Sequence, residues 1–310
     1  MKTLKLALSG LGKIARDQHL PCIAKRDDIS LVATISRNSE LEGVPAFRDI
    51  DAAVASGIAV DAVVLCTPPQ VRFAQARAAL AEGWHVFLEK PPCAGLAEAA
   101  ALDAMAQEKG LTLYASWHSR AAAAVAPARA WLNGKTLRQV KVEWREDVRK
   151  WHPYQDWLFE PGGMGVFDPG INALSILTTL MPEAVHLASA TLHVPSNCQA
   201  PVAASLRLTA EGGTPIRANF DFLEQGKEVW EIEIVTEQGN VLLSEGGANL
   251  SIDGAKQDLP EVVEYAALYE RFVTLVAKGQ RDMDVAPLAL TADAFLLGRR
   301  ETAPAFNWDD

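Results

Sequence analysis

The feature that most constrains the fold is a glycine-rich turn near the start of the chain, Gly10-Leu11-Gly12-Lys13-Ile14-Ala15. It follows an apolar run, Leu4 to Ser9, and opens a segment with helical spacing, so it matches the G-x-G-x-x-G/A pattern in a strand–turn–helix context. In that context Gly10 permits a tight turn, Gly12 lets backbone N–H groups approach a pyrophosphate, and Ala15 allows close helix-to-strand packing. The turn predicts a dinucleotide site, and a plain glycine-rich turn is the alternative.

Apolar runs alternate with helical patterns through the first 120 residues, which is typical of a parallel sheet covered by helices on both faces. The predicted strands are Leu4 to Ser9, Leu31 to Ser36, Asp61 to Cys66, His85 to Leu88 and Leu111 to Ser116. Nearly continuous apolar strands of this kind suit a sheet that is buried on both faces. The sequence therefore predicts an α/β chain whose N-terminal domain, residues 1–120, is a Rossmann-type, doubly wound parallel sheet.

After residue 120 the hydrophobic pattern changes to alternation of period two. Val140, Val142 and Trp144 alternate with charged residues, and Ile232 and Ile234 alternate with glutamates, as in half-buried antiparallel strands. The predicted helices of this region are Asn172 to Leu180, Tyr265 to Lys278 and Leu288 to Arg299. We therefore predict a C-terminal α+β domain, residues 121–310, with an open and mainly antiparallel sheet.

Charge and cysteine content narrow the classes of partner. The chain of 310 residues has 39 acidic and 29 basic residues and a formal net charge of -10, which disfavours nucleic acid and anionic membrane as partners. The 4 cysteines are too widely spaced for a CxxC motif, so we expect no metal site and a reducing compartment. No window approaches the ~18 uninterrupted apolar residues of a membrane helix, and charges interrupt the first apolar run, so the sequence predicts a cytoplasmic protein.

The end of the second strand bears on which dinucleotide would bind. NAD-binding chains usually carry Asp or Glu about 20 residues beyond the glycines, but here Ser36-Arg37-Asn38 occupies that place. A guanidinium offers a planar, bidentate fork to a 2′-phosphate, so NADP is the first expectation and NAD the second. Alternatively, Arg37 is a solvated loop cation. The residues predicted to contact the cofactor are Gly10, Gly12, Lys13, Ile14, Ser36, Arg37, Cys66, Thr67, Pro68, Gln70, Glu89 and Lys90.

Lys90 is the first candidate for the chemistry. It follows the strand His85 to Leu88 at the carboxyl edge, where doubly wound sheets bind ligands. An ordinary lysine, with a pKa of about 10.4, is a poor base, but burial beside the positive ring of oxidised nicotinamide would disfavour its charged form and make it a better one. Two alternatives stay open, because Lys90 could remain charged and hold the reacting oxygen, or be a surface lysine.

A second pair of candidates, Asp168 and Asn172, follows Gly162-Gly163. They are four residues apart, so on one helix they would share a face, where an acid and an amide could accept a proton and orient a hydroxyl. Asp168 could also cap the helix that follows. Other acidic, imidazole and indole side chains suit a sugar, which needs hydrogen-bond acceptors and an aromatic surface for its C–H face. The residues predicted to contact the substrate are Lys90, His118, Glu146, Asp147, His152, Asp168, Asn172 and Trp230.

Nearly end to end, the chain resembles the glucose-fructose oxidoreductase, inositol dehydrogenase and MocA-like (Gfo/Idh/MocA) family. The motifs that carry this resemblance are Gly10-x-Gly12, Thr67-Pro68-Pro69, Glu89-Lys90-Pro91 and Gly162-Gly163 leading to Asp168 and Gly170. Within that family, four segments are similar to the bacterial L-arabinose/D-galactose 1-dehydrogenases: Gly12 to His19, Trp117 to Arg120, Trp151 to Pro153 and Asp168 to Asn172.

The resemblance implies hydride transfer from C1 of a pyranose to NAD(P), which gives an aldonolactone. Lys90 and Asp168 would be the catalytic pair, and Asn172 would orient O1. The wider family usually has histidine at the position of Asn172; since an amide does not titrate, the proton would pass to Asp168 or Lys90. L-arabinose and D-galactose share their configuration at C2, C3 and C4, so dual specificity is expected. The resemblance also implies a homo-oligomer formed through the antiparallel sheet.

Two other functions stand beside this one. The chain could be a dehydrogenase of the same family that acts on a cyclitol or another cyclic alcohol. It could also be a regulator that binds a sugar or NAD(P) without turnover, although the presence of Lys90, Asp168 and Asn172 together disfavours this.

Overall fold

The computed structural model describes residues 3–309, in which the strands form two sheets. The strands are β1 (Leu4–Ser9), β2 (Ile29–Ile35), β3 (Ala46–Phe47), β4 (Ala62–Leu65), β5 (His85–Leu88), β6 (Leu113–Ala115), β7 (Leu137–Arg145), β8 (Val185–Pro195), β9 (Ala203–Ala210), β10 (Pro215–Asp221), β11 (Val229–Thr236), β12 (Gly239–Ser244), β13 (Asn249–Ile252), β14 (Ala255–Lys256) and β15 (Arg299–Ala303).

The α-helices are distributed over the whole chain. They are α1 (Leu20–Ala24), α2 (Ile50–Ala55), α3 (Pro69–Ala81), α4 (Leu96–Lys109), α5 (Val125–Leu132), α6 (Val148–Trp151), α7 (Phe167–Leu180), α8 (Glu264–Lys278) and α9 (Ala286–Leu297). A π-helical turn, Ala15–His19, leads into α1. Between residues 3 and 309, none of the helices is long and apolar enough to cross a membrane.

The chain divides into two compact units, and the first is discontinuous in sequence. It comprises the chain through His118 together with Glu264–Val285, while the second comprises Ser119–Val263 and the segment from Ala286 onward. This division differs from the predicted domains 1–120 and 121–310, because α8 belongs to the first unit. The amphipathic pattern of α8 indicates a buried face but not which sheet that face covers.

Within residues 3–309, the sheet of the first unit has six parallel strands in the order β3-β2-β1-β4-β5-β6. The predicted doubly wound fold is therefore confirmed, with β1 and β4 adjacent where the strand order reverses. Beyond the carboxyl ends of strands at such a reversal, doubly wound proteins bind their ligands. The short edge strand β3 was not predicted, since two residues carry no periodicity.

Successive strand residues pack on opposite faces of this sheet. On one face Ala7, Val63 and Val86 pack among buried residues of α2, α3 and α4. On the other face Leu6, Val64 and Phe87 pack against α1 and α8. The residues that α8 contributes to this second core are Tyr265, Leu268, Tyr269, Phe272 and Leu275. Helix α8 is therefore part of the structure that holds the sheet in place.

In the part of the chain that the structure describes, the sheet of the second unit has nine strands in the order β14-β13-β12-β11-β7-β10-β9-β8-β15. Among the described strands of this sheet, only the β7–β10 and β8–β15 pairs are parallel, so the predicted, mainly antiparallel sheet is confirmed. The alternation seen in the sequence produces one buried face, on which Val140 lies opposite Ile234 and Val142 opposite Ile232. Helices α5, α7 and α9 pack on this sheet, and α7 begins five residues before the predicted Asn172.

Candidate functional site

The glycine-rich turn joins β1 to the π-helical turn. Gly10 has φ 89°, and a Cβ at this position would lie only 2.9 Å from the backbone nitrogen of Thr67, so the close approach of the loop after β4 requires glycine. A Cβ at Gly12 would meet no atom within 4 Å, so the backbone beside it is open. Lys13 and Ile14 are exposed, and Lys13 forms an ion pair with Asp17. This cradle of open backbone fits a pyrophosphate.

Ser36 and Arg37 follow β2 directly, at the same edge of the sheet. The Ser36 N–H donates to the carbonyl of Phe47 at 2.9 Å, which fixes the start of this loop. Arg37 is exposed, so its guanidinium is accessible to a ligand.

The loop after β4 contains Cys66, Thr67 and Pro68, and Gln70 lies in the first turn of α3. The Thr67 hydroxyl donates to Oε1 of Gln75 at 2.7 Å, which ties the loop to the helix. Cys66 and Thr67 are half-buried and Pro68 is exposed. The predicted cofactor residues from Gly10 to Gln70 therefore follow three neighbouring strands, β2, β1 and β4, at their carboxyl edge.

Glu89, the residue after β5, has a carboxylate that is engaged inside the first unit, with only 3% of the residue exposed. Its Oε2 accepts the backbone N–H of Lys90 at 2.7 Å, and its Oε1 accepts the hydroxyl of Tyr265 at 2.8 Å. His19 Nε2 lies 3.0 Å from the same Oε1, while His19 Nδ1 lies 2.8 Å from the Tyr269 hydroxyl. Glu89 thus holds the peptide of Lys90 in place.

The pKa values of His19 and Glu89 are shifted in opposite directions. Burial alone would raise the pKa of Glu89, but the hydrogen bond and positive charge of His19 outweigh it and lower the pKa to about 2. Burial alone would lower the pKa of His19, but the Cys66 sulfur and the Glu89 carboxylate outweigh it and raise the pKa to about 10. The pair is therefore ionic at neutral pH.

Lys90 and His118 follow the ends of β5 and β6, by two and three residues respectively, and belong to the same unit. Lys90 is half-buried. His118 Nδ1 lies 2.7 Å from Oε2 of Glu264, and its ring stacks on Tyr265 with centroids 5.7 Å apart. The imidazole of His118 is thus oriented by the start of α8.

In the second unit, α7 carries Asp168 and Asn172 one helical turn apart. Asp168 is 3% exposed, and its Oδ2 lies 3.5 Å from Nε2 of His152; Asn172 is half-buried. Asp168 does not cap the helix, because α7 begins at Phe167 and shows no side-chain cap. The structure thus joins the predicted Asp168 to the predicted His152, on either side of a loop that returns through Gly163.

The second unit also contains a group of acidic and indole side chains that contact one another. Trp230 Nε1 donates to Oε2 of the buried Glu146 at 2.8 Å, and the Trp230 ring meets that of Trp151 edge-on at 5.8 Å. Trp151 Nε1 donates to Glu228 at 2.7 Å. Asp147 instead caps α6 by accepting the backbone N–H of Arg149 at 2.9 Å, so its carboxylate is partly engaged.

The predicted residues thus fall into two groups, one in each unit. The group of the first unit is Gly10, Gly12, Lys13, Ile14, Ser36, Arg37, Cys66, Thr67, Pro68, Gln70, Glu89, Lys90 and His118, and that of the second is Glu146, Asp147, His152, Asp168, Asn172 and Trp230. Between residues 3 and 309, no group of three or more His, Cys, Asp or Glu is arranged to hold a metal ion.

Sequence reasoning missed the residues that hold the predicted ones. His19, Tyr265 and Glu264 contact Glu89 or His118, and Arg72 contacts the loops after β4 and β5. Only His19 and Arg72 lie near a recognisable motif, four residues after the glycine-rich turn and three after Thr-Pro-Pro. Tyr265 and Glu264 are far away in the chain, and no local pattern connects them with Glu89.

Comparison with known proteins places this arrangement in a family. Residues 4–116 match the model of an oxidoreductase family with an NAD-binding Rossmann fold, GFO_IDH_MocA. Over 306 residues the chain is 45% identical to a galactose 1-dehydrogenase of Pseudomonas fluorescens, with 99% of each protein covered. The chain belongs to the Gfo/Idh/MocA oxidoreductase family. The predicted family resemblance and enzyme class are therefore confirmed.

Solved structures extend the likeness within the family. A D-galactose-1-dehydrogenase from Rhizobium etli superposes with a TM-score of 0.95 at 50% identity, and 99% of each chain is covered. A 3-ketoreductase from Actinomadura kijaniata has a TM-score of 0.86 at 17% identity, covering 98% of this chain and 100% of its own, which shows a shared fold alone.

Proposed function

We propose that the protein is an NAD(P)-dependent aldose 1-dehydrogenase that oxidises C1 of a pyranose, such as D-galactose or L-arabinose, to the aldonolactone. The observation that carries this proposal is the end-to-end identity of 45% and 50% to two galactose 1-dehydrogenases. The buried Asp168, its neighbour Asn172 and the strand-end Lys90 supply the acid–base and orienting groups that the reaction needs.

The first unit would hold the cofactor, whose nicotinamide when bound supplies the hydride acceptor. The open backbone at Gly12, with Lys13 and Ile14, suits the pyrophosphate. The exposed Arg37, with Ser36, suits a 2′-phosphate, so NADP is the preferred cofactor. The residues that complete this edge are Cys66, Thr67, Pro68, Gln70, Glu89 and Lys90.

The reaction removes a hydride from C1 and a proton from the O1 hydroxyl, so it needs a proton acceptor and groups that hold O1. Asp168 and Lys90 are the two candidates for the proton acceptor. Asn172 does not titrate, so its amide orients O1 by hydrogen bonding. His152, 3.5 Å from Asp168, fixes the position of that carboxylate.

Sugar recognition falls to the remaining polar and aromatic groups among the predicted residues. The Glu146 carboxylate, held by Trp230, offers a fixed acceptor to a hydroxyl. The indole of Trp230 suits the C–H face of a pyranose. His118, Asp147 and His152 complete the proposed contacts. A site rejects a wrongly oriented hydroxyl strongly, because polar groups are then left unpaired, but it rejects an added carbon group only weakly. D-galactose and L-arabinose have the same configuration at C2, C3 and C4 and differ by one hydroxymethyl group, so both should be accepted.

The test is an assay of the purified protein with NADP or NAD and a panel of aldoses and inositols, followed by the absorbance of the reduced nicotinamide. We expect turnover with D-galactose and L-arabinose. Lys90→Met and Asp168→Asn should each lower kcat about 10²- to 10⁴-fold, while Lys25→Met, at an exposed lysine after α1, should not.

Each other outcome contradicts part of the proposal. Full turnover in both variants would remove the assigned catalytic pair. Oxidation of inositols alone would favour the cyclitol alternative, and binding without turnover of any substrate would favour a regulator.

We also propose that the second sheet mediates homo-oligomer formation. On its exposed face Arg207 lies directly opposite Arg217, and Glu231 opposite Glu143. Glu143 already lies 3.3 Å from the amine of Lys141 on its own strand, but the like charges of the paired arginines destabilise a sheet that nothing covers. A two-fold-related copy could place this basic pair over the acidic one. Light scattering should give a multiple of the mass of one chain, and Arg207→Glu with Arg217→Glu should reduce it.

A further inference from the structure

Arg72, on α3, is a buried arginine whose guanidinium contacts backbone carbonyls in two different loops. The residue is 2% exposed. Its Nε donates to the carbonyl of Thr67 at 3.1 Å, and its Nη2 donates to the same oxygen. Its Nη1 donates to the carbonyls of Glu89 and Pro91. A charge removed from water is costly unless its N–H groups are satisfied, so this geometry is closely determined.

Two of the three carbonyls that Arg72 contacts, those of Glu89 and Pro91, belong to the residues on either side of Lys90. The amide N–H of Lys90 itself donates to the Glu89 carboxylate at 2.7 Å. That carboxylate is held in turn by Tyr265 at 2.8 Å and by His19 at 3.0 Å. The backbone of residues 89–91 is therefore held by two buried charges. The Arg72 guanidinium binds its carbonyl groups, and the Glu89 carboxylate binds its amide group.

We propose that Arg72 is a positioning residue for Lys90, because it ties the backbone on both sides of Lys90 to the loop after β4. The inference rests on the proposed dehydrogenase function, in which Lys90 contacts the reacting oxygen. A lysine side chain is a flexible stem of four methylene groups. The place that the amine of Lys90 can reach therefore depends on the position and orientation of the Lys90 backbone. Displacement of a reacting group by about 1 Å can cost about 10² in rate, which makes such anchoring significant.

Arginine is the side chain that this role requires. Its planar guanidinium offers five N–H donors in a fixed fork, and here the fork reaches Thr67 on one side and Glu89 and Pro91 on the other. A lysine at this position would keep the charge but could not hold both loops with the same geometry. The loop after β4, which is expected to border the cofactor, and the loop that carries Lys90 are therefore held in fixed register.

The experiment compares Arg72→Met and Arg72→Lys with the wild type by steady-state kinetics on D-galactose and NADP. For Arg72→Met we expect kcat to fall about 10²-fold, while the KM for the sugar and the dissociation constant of NADPH, measured by its fluorescence, change far less. Arg72→Lys should give an intermediate kcat. Hydrogen exchange of the peptide that contains Lys90 should be faster in both variants, because the Lys90 amide is less firmly held.

Two variants on the same helix serve as controls. Leu80→Val, at a fully buried residue, should lower the thermal midpoint without changing kcat or the exchange of the Lys90 peptide. Arg77→Met, at an exposed arginine, should change none of these quantities. If Arg72→Met does not fold, the kcat and exchange of Arg72→Lys decide the question.

Three results would overturn the inference. The first is a wild-type kcat in a folded Arg72 variant, and the second is a rise in the KM of such a variant with unchanged kcat. The third is a loss of kcat in Leu80→Val that equals the loss in the Arg72 variant when both have lost the same amount of thermal midpoint. Failure of the proposed function is distinguishable, since the wild type itself would then oxidise no aldose. In that case the exchange of the Lys90 peptide alone decides, and unchanged exchange in Arg72→Lys rejects the role of Arg72.

Discussion

His19 and Glu89 form an ion pair inside the first unit, and each charge depends on the other. A histidine with a raised pKa stabilises the fold fully below its ordinary pKa of 6.5, and that stabilisation is lost as the pH rises towards about 10. A carboxyl group with a lowered pKa stabilises the fold fully above 4.5, and that stabilisation is lost as the pH falls towards about 2. Both contributions are complete only between these two ordinary values.

The variant Glu89→Gln should therefore destabilise the protein in a pH-dependent manner. Removal of one partner of a buried pair costs about 3 to 5 kcal/mol, and we expect this loss to be largest near pH 5.5 and smaller near pH 9.5, where His19 begins to lose its proton. Urea unfolding of both proteins at several pH values measures it. The exposed Glu108→Gln is the control, and a loss that does not vary with pH would contradict the assignment of charges.

Arg37 is the residue on which the choice of dinucleotide should depend. In Arg37→Ala we expect the KM for NADP to rise about 10- to 100-fold, because a hydrogen bond to a charged group contributes about 1.5 to 3 kcal/mol. The KM for NAD should change little, since NAD has no 2′-phosphate. Steady-state kinetics with both cofactors measure the difference, with the exposed Arg129→Ala as control. Equal changes for NAD and NADP would show that Arg37 does not recognise the phosphate.

At the scale of the elements, the turn before α7 determines where Asp168 and Asn172 lie. The N–H of Gly163 donates to the carbonyl of Glu160 at 2.9 Å. A Cβ at Gly163 would overlap the carbonyl oxygens of Trp157 and Leu158. Only glycine lets the chain pass so close to this backbone and still enter the helix.

Gly163→Ala should consequently destabilise the second unit by about 1 to 3 kcal/mol, the usual cost of overpacking, and displace Asp168. We expect a lower thermal midpoint by calorimetry together with a reduced kcat. At Gly95 a Cβ would meet no atom within 4 Å, so Gly95→Ala should have a smaller effect on the midpoint and none on kcat. An unchanged midpoint in Gly163→Ala would contradict the close approach.

The elements also show what the sequence could predict. Strands β1 and β5 have the predicted limits, because each is a buried apolar run with clear boundaries. Helix α7 begins earlier than predicted, since Pro169 and Gly170 interrupt the pattern although proline is tolerated in the first turn of a helix. The contact of Glu89 with Tyr265 could not be predicted from the sequence, because tertiary packing brings together residues that are 176 positions apart.

At the scale of the whole molecule, the first unit depends on a helix that lies far along the chain. Without α8, the face that carries Leu6, Val64 and Phe87 would keep α1 but lose the five buried residues of α8. We expect residues 1–120 alone to lack fixed tertiary structure, with weak near-ultraviolet circular dichroism and strong binding of a hydrophobic dye.

Addition of residues 264–285 should restore cooperative unfolding to this fragment. A short glycine-serine linker is sufficient, because His118 and Glu264 are in contact at 2.7 Å. Chemical denaturation of the two fragments measures the difference. Cooperative unfolding of residues 1–120 without the helix would contradict the dependence on α8.

The discontinuity of the first unit also sets an order of events during synthesis. Domains generally fold as units while the chain emerges from the ribosome, but here α8 emerges only after all of Ser119–Val263. The part of the apolar face that α8 covers therefore stays exposed while the strands β7 to β14 are synthesised. The N-terminal residues are synthesised first, but their hydrophobic core is complete only when α8 has left the ribosome. During that interval they are the part of the polypeptide most exposed to chaperones and to aggregation.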